Sequence, residues 1–141
     1  MIEAVEYRPE HLLALALQPA QQWLGMYATQ ANAEALARST RAIAVVDGKR
    51  VLGVAGVETY WTGRGMAWAF LAGDLRKDFV AGHRIAKQFL DSFSDMRIEA
   101  FVECDFEQGH RWMKLLGFEL ETPVAKRYQN GRDCSIYVRG V

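Results

Sequence analysis

Residues 97–118 constrain the fold of this chain more than any other stretch; their sequence is RIEAFVECDFEQGHRWMKLLGF. Side chains alternate over Arg97–Glu103 with the period of a strand, and Glu99 falls on its mainly charged face. Apolar residues then recur at helical spacing over residues 106–116. Gly117 and Phe118 follow, and glycine typically ends a helix. The stretch therefore predicts a strand, a short break and an amphipathic helix.

The other patterns predict a mixed sheet with helices between some of its strands. Further strands are predicted over residues 2–8, 41–46, 50–60 and 66–72, and two more lie within residues 124–138, divided at Asn130-Gly131. Asp47-Gly48 and residues 62–65 predict two other hairpin turns. Helices are predicted over residues 10–17, 20–39 and 79–93, with a break at Pro19 and with Trp23 and Leu24 on the apolar stripe of the second. The predicted fold class is α/β (α+β), with a central mixed, mostly antiparallel sheet of about seven strands flanked by about four helices.

Length and composition predict one domain, residues 1–141, of ordinary globular character. Seventeen basic residues balance seventeen acidic ones, so no net field favours nucleic acid as a partner. We expect no membrane segment, because no apolar run has the necessary length, and no signal peptide at the amino terminus. Cys104 and Cys134 lack the spacing of a metal site, which predicts two free thiols and no metal.

Two stretches resemble signatures of the Gcn5-related N-acetyltransferase (GNAT) superfamily. The first, LRKDFVAGH at residues 75–83, can be laid on the family's Gln/Arg-x-x-Gly-x-Gly/Ala loop. In that family the backbone N–H groups of the loop and the helix dipole hold the pyrophosphate of coenzyme A, and the preceding strand holds the pantetheine arm. The resemblance thus implies acetyl-CoA as cofactor. It implies these cofactor-binding residues: Ala69, Leu71, Gly73, Arg76, Lys77, Gly82 and His83.

The second stretch resembles Asn-x-x-Ala-x-x-x-Tyr-x-x-x-Gly-Phe along the last helix. It places Phe106 at the family's Asn position, Gly109 at its Ala position and Met113 at its Tyr position. The family's tyrosine protonates the thiolate that leaves, whereas methionine has no proton to donate. The resemblance therefore preserves the packing of the helix and lacks its polar chemistry.

Three side chains are candidates for acid–base chemistry. Glu58 lies late in the third strand and Glu103 ends the fifth, and both are expected at a central cleft, where a carboxylate can act as the base. His110 on the last helix is the third candidate. Solvated strand-end charges and a half-exposed helical histidine are the alternative interpretation of the three. Trp61, in a turn region, is expected on the surface.

Residues 50–140 resemble, more narrowly, small GNAT-like proteins of tailed phages and prophages of the internal virion protein type, chiefly through GHRW and LGF in the last helix. This resemblance implies a virion- or ejection-associated component with a degenerate acetyltransferase site. Its partners would be other virion proteins, and its location the host cytoplasm or the particle. The alternative is an active acyl-CoA-dependent N-acetyltransferase that acts on an amine or a protein lysine.

Overall fold

The computed structural model describes residues 1–17, 21 and 25–141. Its elements are β1 (Ile2–Glu6), α1 (Pro9–Leu13), α2 (Gln30–Ser39), β2 (Arg41–Asp47), β3 (Arg50–Trp61), β4 (Arg64–Leu71), α3 (Phe79–Asp91), β5 (Arg97–Glu103), α4 (Glu107–Leu115), β6 (Glu119–Gln129) and β7 (Arg132–Arg139). The seven strands form one sheet in the order β1-β2-β3-β4-β5-β7-β6. β4 and β5 run parallel, while β1-β2, β2-β3, β5-β7 and β6-β7 are antiparallel. Within the described residues, the predicted mixed, mostly antiparallel sheet with four helices is confirmed.

The predicted hairpin turn at Asn130-Gly131 and the predicted helix end at Gly117-Phe118 both have a clear physical basis in the structure. Asn130 and Gly131 both have positive φ angles, 55° and 76°, as a two-residue hairpin turn with the twist of the strands requires. After α4, the Gly117 N–H donates to the Lys114 carbonyl and the Phe118 N–H donates to the Met113 carbonyl. These are the two bonds of a Schellman cap, in which Gly117 takes φ 91° and buried Phe118 seals the end of the helix.

Several predicted boundaries are wrong. Within the predicted helix over residues 20–39, α2 begins at Gln30, where the Thr29 hydroxyl caps it by accepting the Asn32 N–H at 3.3 Å, and residues 25–27 form a separate 3-10 turn. Pro19, Trp23 and Leu24 lie outside the described residues. β6 begins at Glu119, five residues before the predicted start at 124. The Asn130-Gly131 signal marks the turn and not the start of the strand, and register shifts along this edge strand interrupt any regular alternation.

The described chain divides into two compact units. The first comprises Met1–Glu58 and Trp68–Phe89. Its core contains Tyr7, whose hydroxyl donates to the Ala33 carbonyl at 3.0 Å and whose ring meets Trp68 edge-on, with 5.8 Å between centroids. The second unit comprises Thr59–Ala67 and Leu90–Val141, and the apolar faces of β5 and β7 are buried in it. Among the described residues, no helix is long and apolar enough to cross a bilayer.

Candidate functional site

The edge of β4 opposite β3 carries the backbone groups that the sequence predicted for a pantetheine arm. The Ala72 N–H donates to the Leu52 carbonyl on β3 at 2.9 Å. Backbone groups alternate between the two edges of a strand, so those of Leu71 and Gly73 point to the opposite edge. The structure therefore gathers Ala69, Leu71 and Gly73 along one line of donors and acceptors.

Residues of the same unit already use these backbone groups. The Gly73 N–H donates to the Ala16 carbonyl at 3.0 Å. The side-chain amide of Gln21 donates to the Ala69 carbonyl and accepts the Leu71 N–H, both at 2.9 Å. Sequence reasoning missed this role of Gln21, since a glutamine inside the predicted helix over residues 20–39 carries no sign of a hydrogen-bond partner on a distant strand.

The predicted phosphate loop forms the start of α3. Arg76–Asp78 make one turn of 3-10 helix that runs directly into α3, and Arg76 has φ 27°, an uncommon conformation for a residue with a side chain. Arg76 and Lys77 are exposed. The Asp78 N–H donates to the Leu75 carbonyl at 2.6 Å, and the Phe79 N–H donates to the Arg76 carbonyl. Two of the N–H groups at this helix start are therefore already used.

The negative charge of Asp78 at the helix start is neutralised within the first unit. Arg50, the first residue of β3, donates to the Asp78 carboxylate at 3.0 Å, and its second nitrogen contacts the carboxylate of Asp74 at 3.1 Å. Hydrogen bonds to Asp78 and then Asp74 raise the pKa of Arg50. The buried carboxylate of Asp78 is thus paired. Asp74, Asp78 and Arg50 together keep one net negative charge, and the exposed cations beside the turn are Arg76 and Lys77.

Gly82, in the first turns of α3, has open space where a side chain would be. A Cβ atom built on it meets no heavy atom within 4 Å. Its φ is not in the positive range, so the backbone does not require glycine. Glycine lowers the stability of a helix, so this position has a cost that no contact within the described chain explains. His83 follows, and its ring stacks on Phe79, with 6.0 Å between centroids.

The two candidate carboxylates have different surroundings. Glu58 is half-buried and makes no hydrogen bond or ion pair with the described residues. Glu103 accepts a hydrogen bond from Arg132 at 3.0 Å, which ties its charge to β7. Of the two, Glu58 has the carboxylate that is available to accept a proton.

His110 is held at both ring nitrogens. Nε2 lies 3.0 Å from the Cys104 carbonyl, and Nδ1 lies 2.7 Å from the Tyr137 hydroxyl. A carbonyl only accepts, so Nε2 carries a proton; with that tautomer of the uncharged ring, Nδ1 accepts from Tyr137. Burial raises the pKa of Tyr137, which keeps this phenol protonated. His110 and Glu103 do not form a pair, because Tyr137 lies opposite Ala100, and alternation along β5 places Glu103 on the other face.

Two residues of α4 and its start that differ from the family signature, Phe106 and Gly109, pack against each other. A Cβ atom at Gly109 would lie 2.7 Å from ring carbon Cδ2 of Phe106 and 2.7 Å from Cγ1 of Val102. The Phe106 ring therefore fills the space that a side chain at position 109 would need. Met113, at the tyrosine position, is half-buried. The helix keeps its place against β5 through this apolar arrangement.

Sequence reasoning also missed an ionic cluster in the second unit. Glu99 is buried, and its carboxylate accepts from Arg64 at 2.6 and 3.2 Å and from Arg97 at 3.0 Å. Arg97 also pairs with Glu121, and Arg64 lies 5.1 Å from the ring centroid of Trp61. Trp61 is exposed, as predicted. Alternation shows which face a residue takes, but not whether that face is covered.

The sequence also predicted two free thiols and no metal site. Both Cys104 and Cys134 are free thiols, the first exposed and the second buried. Within the described residues, no group of His, Cys, Asp or Glu side chains could hold a metal ion.

Solved structures with the same architecture are GNAT acetyltransferases. Ribosomal-protein-S5-alanine acetyltransferase from Vibrio fischeri superposes with a TM-score of 0.72 at 13% identity, over 98% of this chain and 92% of that one. RimL, an alpha-N-protein acetyltransferase in complex with coenzyme A, gives 0.75 at 13%, over 98% and 93%. Ard1 from Thermoplasma volcanium gives 0.74 at 18%, over 98% and 96%. No protein-family model and no curated protein sequence matches the chain. These likenesses establish that the chain has the GNAT fold.

Proposed function

We propose that the chain binds acetyl-CoA and transfers its acetyl group to an amine, so that an amide bond forms, the thioester C–S bond breaks, and the thiolate that leaves takes its proton from solvent. The observation that carries this proposal is Gly82, because a helical glycine with open space beside it, near exposed Arg76 and Lys77, leaves room for a ligand to approach the backbone. The coenzyme A complex of RimL, which has the same fold, supports the choice of ligand. Backbone N–H groups at the start of α3 would receive the phosphates, with the cations of Arg76 and Lys77 adjacent.

Bound acetyl-CoA would supply an activated thioester. This chain's residues would bind, orient and move protons. The Ala69 carbonyl and the Leu71 N–H, now bonded by the Gln21 side chain, are the groups that an extended, amide-containing ligand would use at this strand edge, while the Gly73 N–H stays bonded to the Ala16 carbonyl. Glu58 has a carboxylate without partners among the described residues, and we assign it the role of base that removes a proton from the acceptor ammonium, directly or through water. His110 is already bound at both nitrogens, so we give it, with Tyr137, the role of holding α4 to β7.

Calorimetric titration with acetyl-CoA, combined with melting curves, tests the binding step. Ligand at a hundredfold excess over its dissociation constant adds ~2.7 kcal/mol to the free energy of unfolding. For a chain of this length the melting temperature should rise by on the order of 5–10 °C. If binding is found, Glu58→Gln should reduce acetylation of a panel of amines without a change in acetyl-CoA affinity. No heat and no shift in melting temperature would contradict the proposal.

A second candidate function is a non-catalytic component of a phage particle or ejection apparatus. Two observations favour it: half-buried Met113 stands at the position of the proton donor, and Trp61 and Tyr60 are exposed side by side, 64% and 44% accessible. Exposed aromatic residues are enriched at protein interfaces. Purification of particles from a producing host, followed by mass spectrometry for this chain, would test the assignment. Its absence from particles, together with acetyl-CoA binding, would leave the enzyme as the function.

A further inference from the structure

The contact between Gln21 and β4 has a consequence for the proposed acyl-CoA site. One side-chain amide bridges the Ala69 carbonyl and the Leu71 N–H, two groups of the strand edge on which the proposed function depends. We propose, resting on that function, that Gln21 blocks this edge in the ligand-free protein and must leave before acyl-CoA binds.

The chemistry of the two competitors is the same. The carboxamide of Gln21 presents one carbonyl acceptor and an N–H donor, and a secondary amide of a pantetheine arm presents the same pair. The Leu71 N–H can make one well-aligned bond, and it now points at the Gln21 oxygen at 2.9 Å. A ligand amide that takes this N–H displaces Gln21. The block is therefore directly competitive.

Gln21 is the part of this contact that can move without unfolding. Nearby, the Ala16 carbonyl accepts from Gly73, and Leu17 forms an isolated antiparallel bridge with Ala72, which together fix the backbone beside the strand. The Gln21 contact, in contrast, is made by a half-buried side chain, which leaves by changing its rotamer. The Gln21 contact is therefore a removable latch beside the fixed backbone contacts of Ala16 and Leu17.

The strength of the block follows from its two hydrogen bonds. A ligand's apparent affinity falls in proportion to the fraction of molecules in which the site is open, and two hydrogen bonds from one neutral side chain should keep that fraction at roughly one in ten. Removal of the Gln21 amide should therefore tighten binding by on the order of tenfold.

The test compares four proteins: the unaltered chain, Gln21→Met, Gln21→Ala and Gln30→Ala. Gln21→Met keeps the length of the side chain without its amide, and Gln21→Ala removes the bulk as well. Gln30→Ala is the matched control, since the Gln30 amide bonds the exposed Glu34 on α2. Each is titrated with coenzyme A and with pantetheine, which has the amides and no pyrophosphate. Melting curves first confirm that each variant folds.

We expect both Gln21 variants to bind both ligands about tenfold tighter than the unaltered chain, while Gln30→Ala does not differ from it. Equal or weaker binding by both Gln21 variants, with binding by the unaltered chain, would overturn the latch and leave the proposed function intact. Binding by none of the four would overturn both. Binding by the Gln21 variants alone would support both.

Amide hydrogen exchange gives a readout that needs no ligand. In the unaltered chain the Leu71 N–H should be protected, and in Gln21→Met its exchange should become at least severalfold faster. The Ala72 N–H, which bonds Leu52 on β3, is the internal control and should not change. Unchanged protection at Leu71 in Gln21→Met would contradict the contact itself.

Discussion

Two helices of this chain each contain a glycine in their first turns, and the two glycines have opposite surroundings. At Gly82 of α3 an added Cβ meets nothing within 4 Å, whereas at Gly109 of α4 it lies 2.7 Å from Phe106 and from Val102. Gly109 is explained by packing inside the chain. Gly82 has no such explanation. A glycine in a motif therefore indicates a ligand only when no residue of the chain occupies the space beside its Cα atom.

Gly109→Ala should have the largest effect, because the new methyl group must displace the Phe106 ring or the buried strand β5. We expect a loss of about 3 kcal/mol in the free energy of unfolding, as overpacking of a tight core produces. Denaturant unfolding measures it. In the background of Phe106→Leu, which opens space beside position 109, the same substitution should cost about 1 kcal/mol or less. An equal cost in both backgrounds would show that Phe106 is not the obstacle.

Glu99→Gln should have the second-largest effect. We expect a loss of about 2 kcal/mol in the free energy of unfolding, because two arginines would face a neutral partner in a buried position. Hydrogen bonds from Arg64 lower the pKa of Glu99, so its ionised form adds stability above the ordinary carboxyl pKa and loses that contribution as the pH falls through the lowered value. Acid unfolding curves of the variant should therefore be flatter below pH ~4. Glu121→Gln, at an exposed partner of Arg97, is the control and should cost much less.

Local features of the fold could be predicted from the sequence, whereas contacts between distant residues could not. The strand, the helix and the Gly117-Phe118 cap of residues 97–118 were predicted from patterns within a few residues, because interactions between near neighbours determine these features. The burial of Glu99 depends on Arg64, thirty-five positions away, and no alternation within β5 reveals it. The contact of Gln21 with Ala69 and Leu71 spans 48 and 50 positions and uses backbone groups, which have no signature in a sequence.

The candidate site divides in the same way. Its cofactor residues were what the family resemblance implied for a strand and the loop after it, and the structure places the backbone groups of Ala69, Leu71 and Gly73 along one side of β4 and its extension. Its side-chain candidates were chosen by residue type alone. Residue type does not show that both ring nitrogens of His110 are hydrogen-bonded, to Tyr137 and Cys104, nor that Arg132 pairs with Glu103.

Tyr137→Phe should have a smaller effect, about 1 kcal/mol, because it removes one hydrogen bond and leaves the His110 nitrogen without a donor. The apolar packing of the ring is preserved. Tyr128→Phe, at an exposed phenol on β6, is the matched control and should be nearly neutral. If acetyl-CoA affinity and acetylation are unchanged in Tyr137→Phe, the pair serves structure. A selective fall in acetylation at unchanged stability would instead give Tyr137 a catalytic role.

Gly82→Ala is the smallest change and the most discriminating one. Alanine favours a helix over glycine by roughly 0.5–1 kcal/mol, and the open space here imposes no opposing cost, so the variant should be more stable. If the space serves a ligand, the same methyl group should weaken coenzyme A binding by on the order of tenfold, a cost of about 1.4 kcal/mol. Pantetheine, which lacks the pyrophosphate, should bind the variant as well as it binds the unaltered chain. Opposite signs for stability and coenzyme A affinity would separate a glycine kept for a ligand from one kept for packing, such as Gly109. A variant that is more stable and binds coenzyme A equally well would show that Gly82 is not part of the phosphate site.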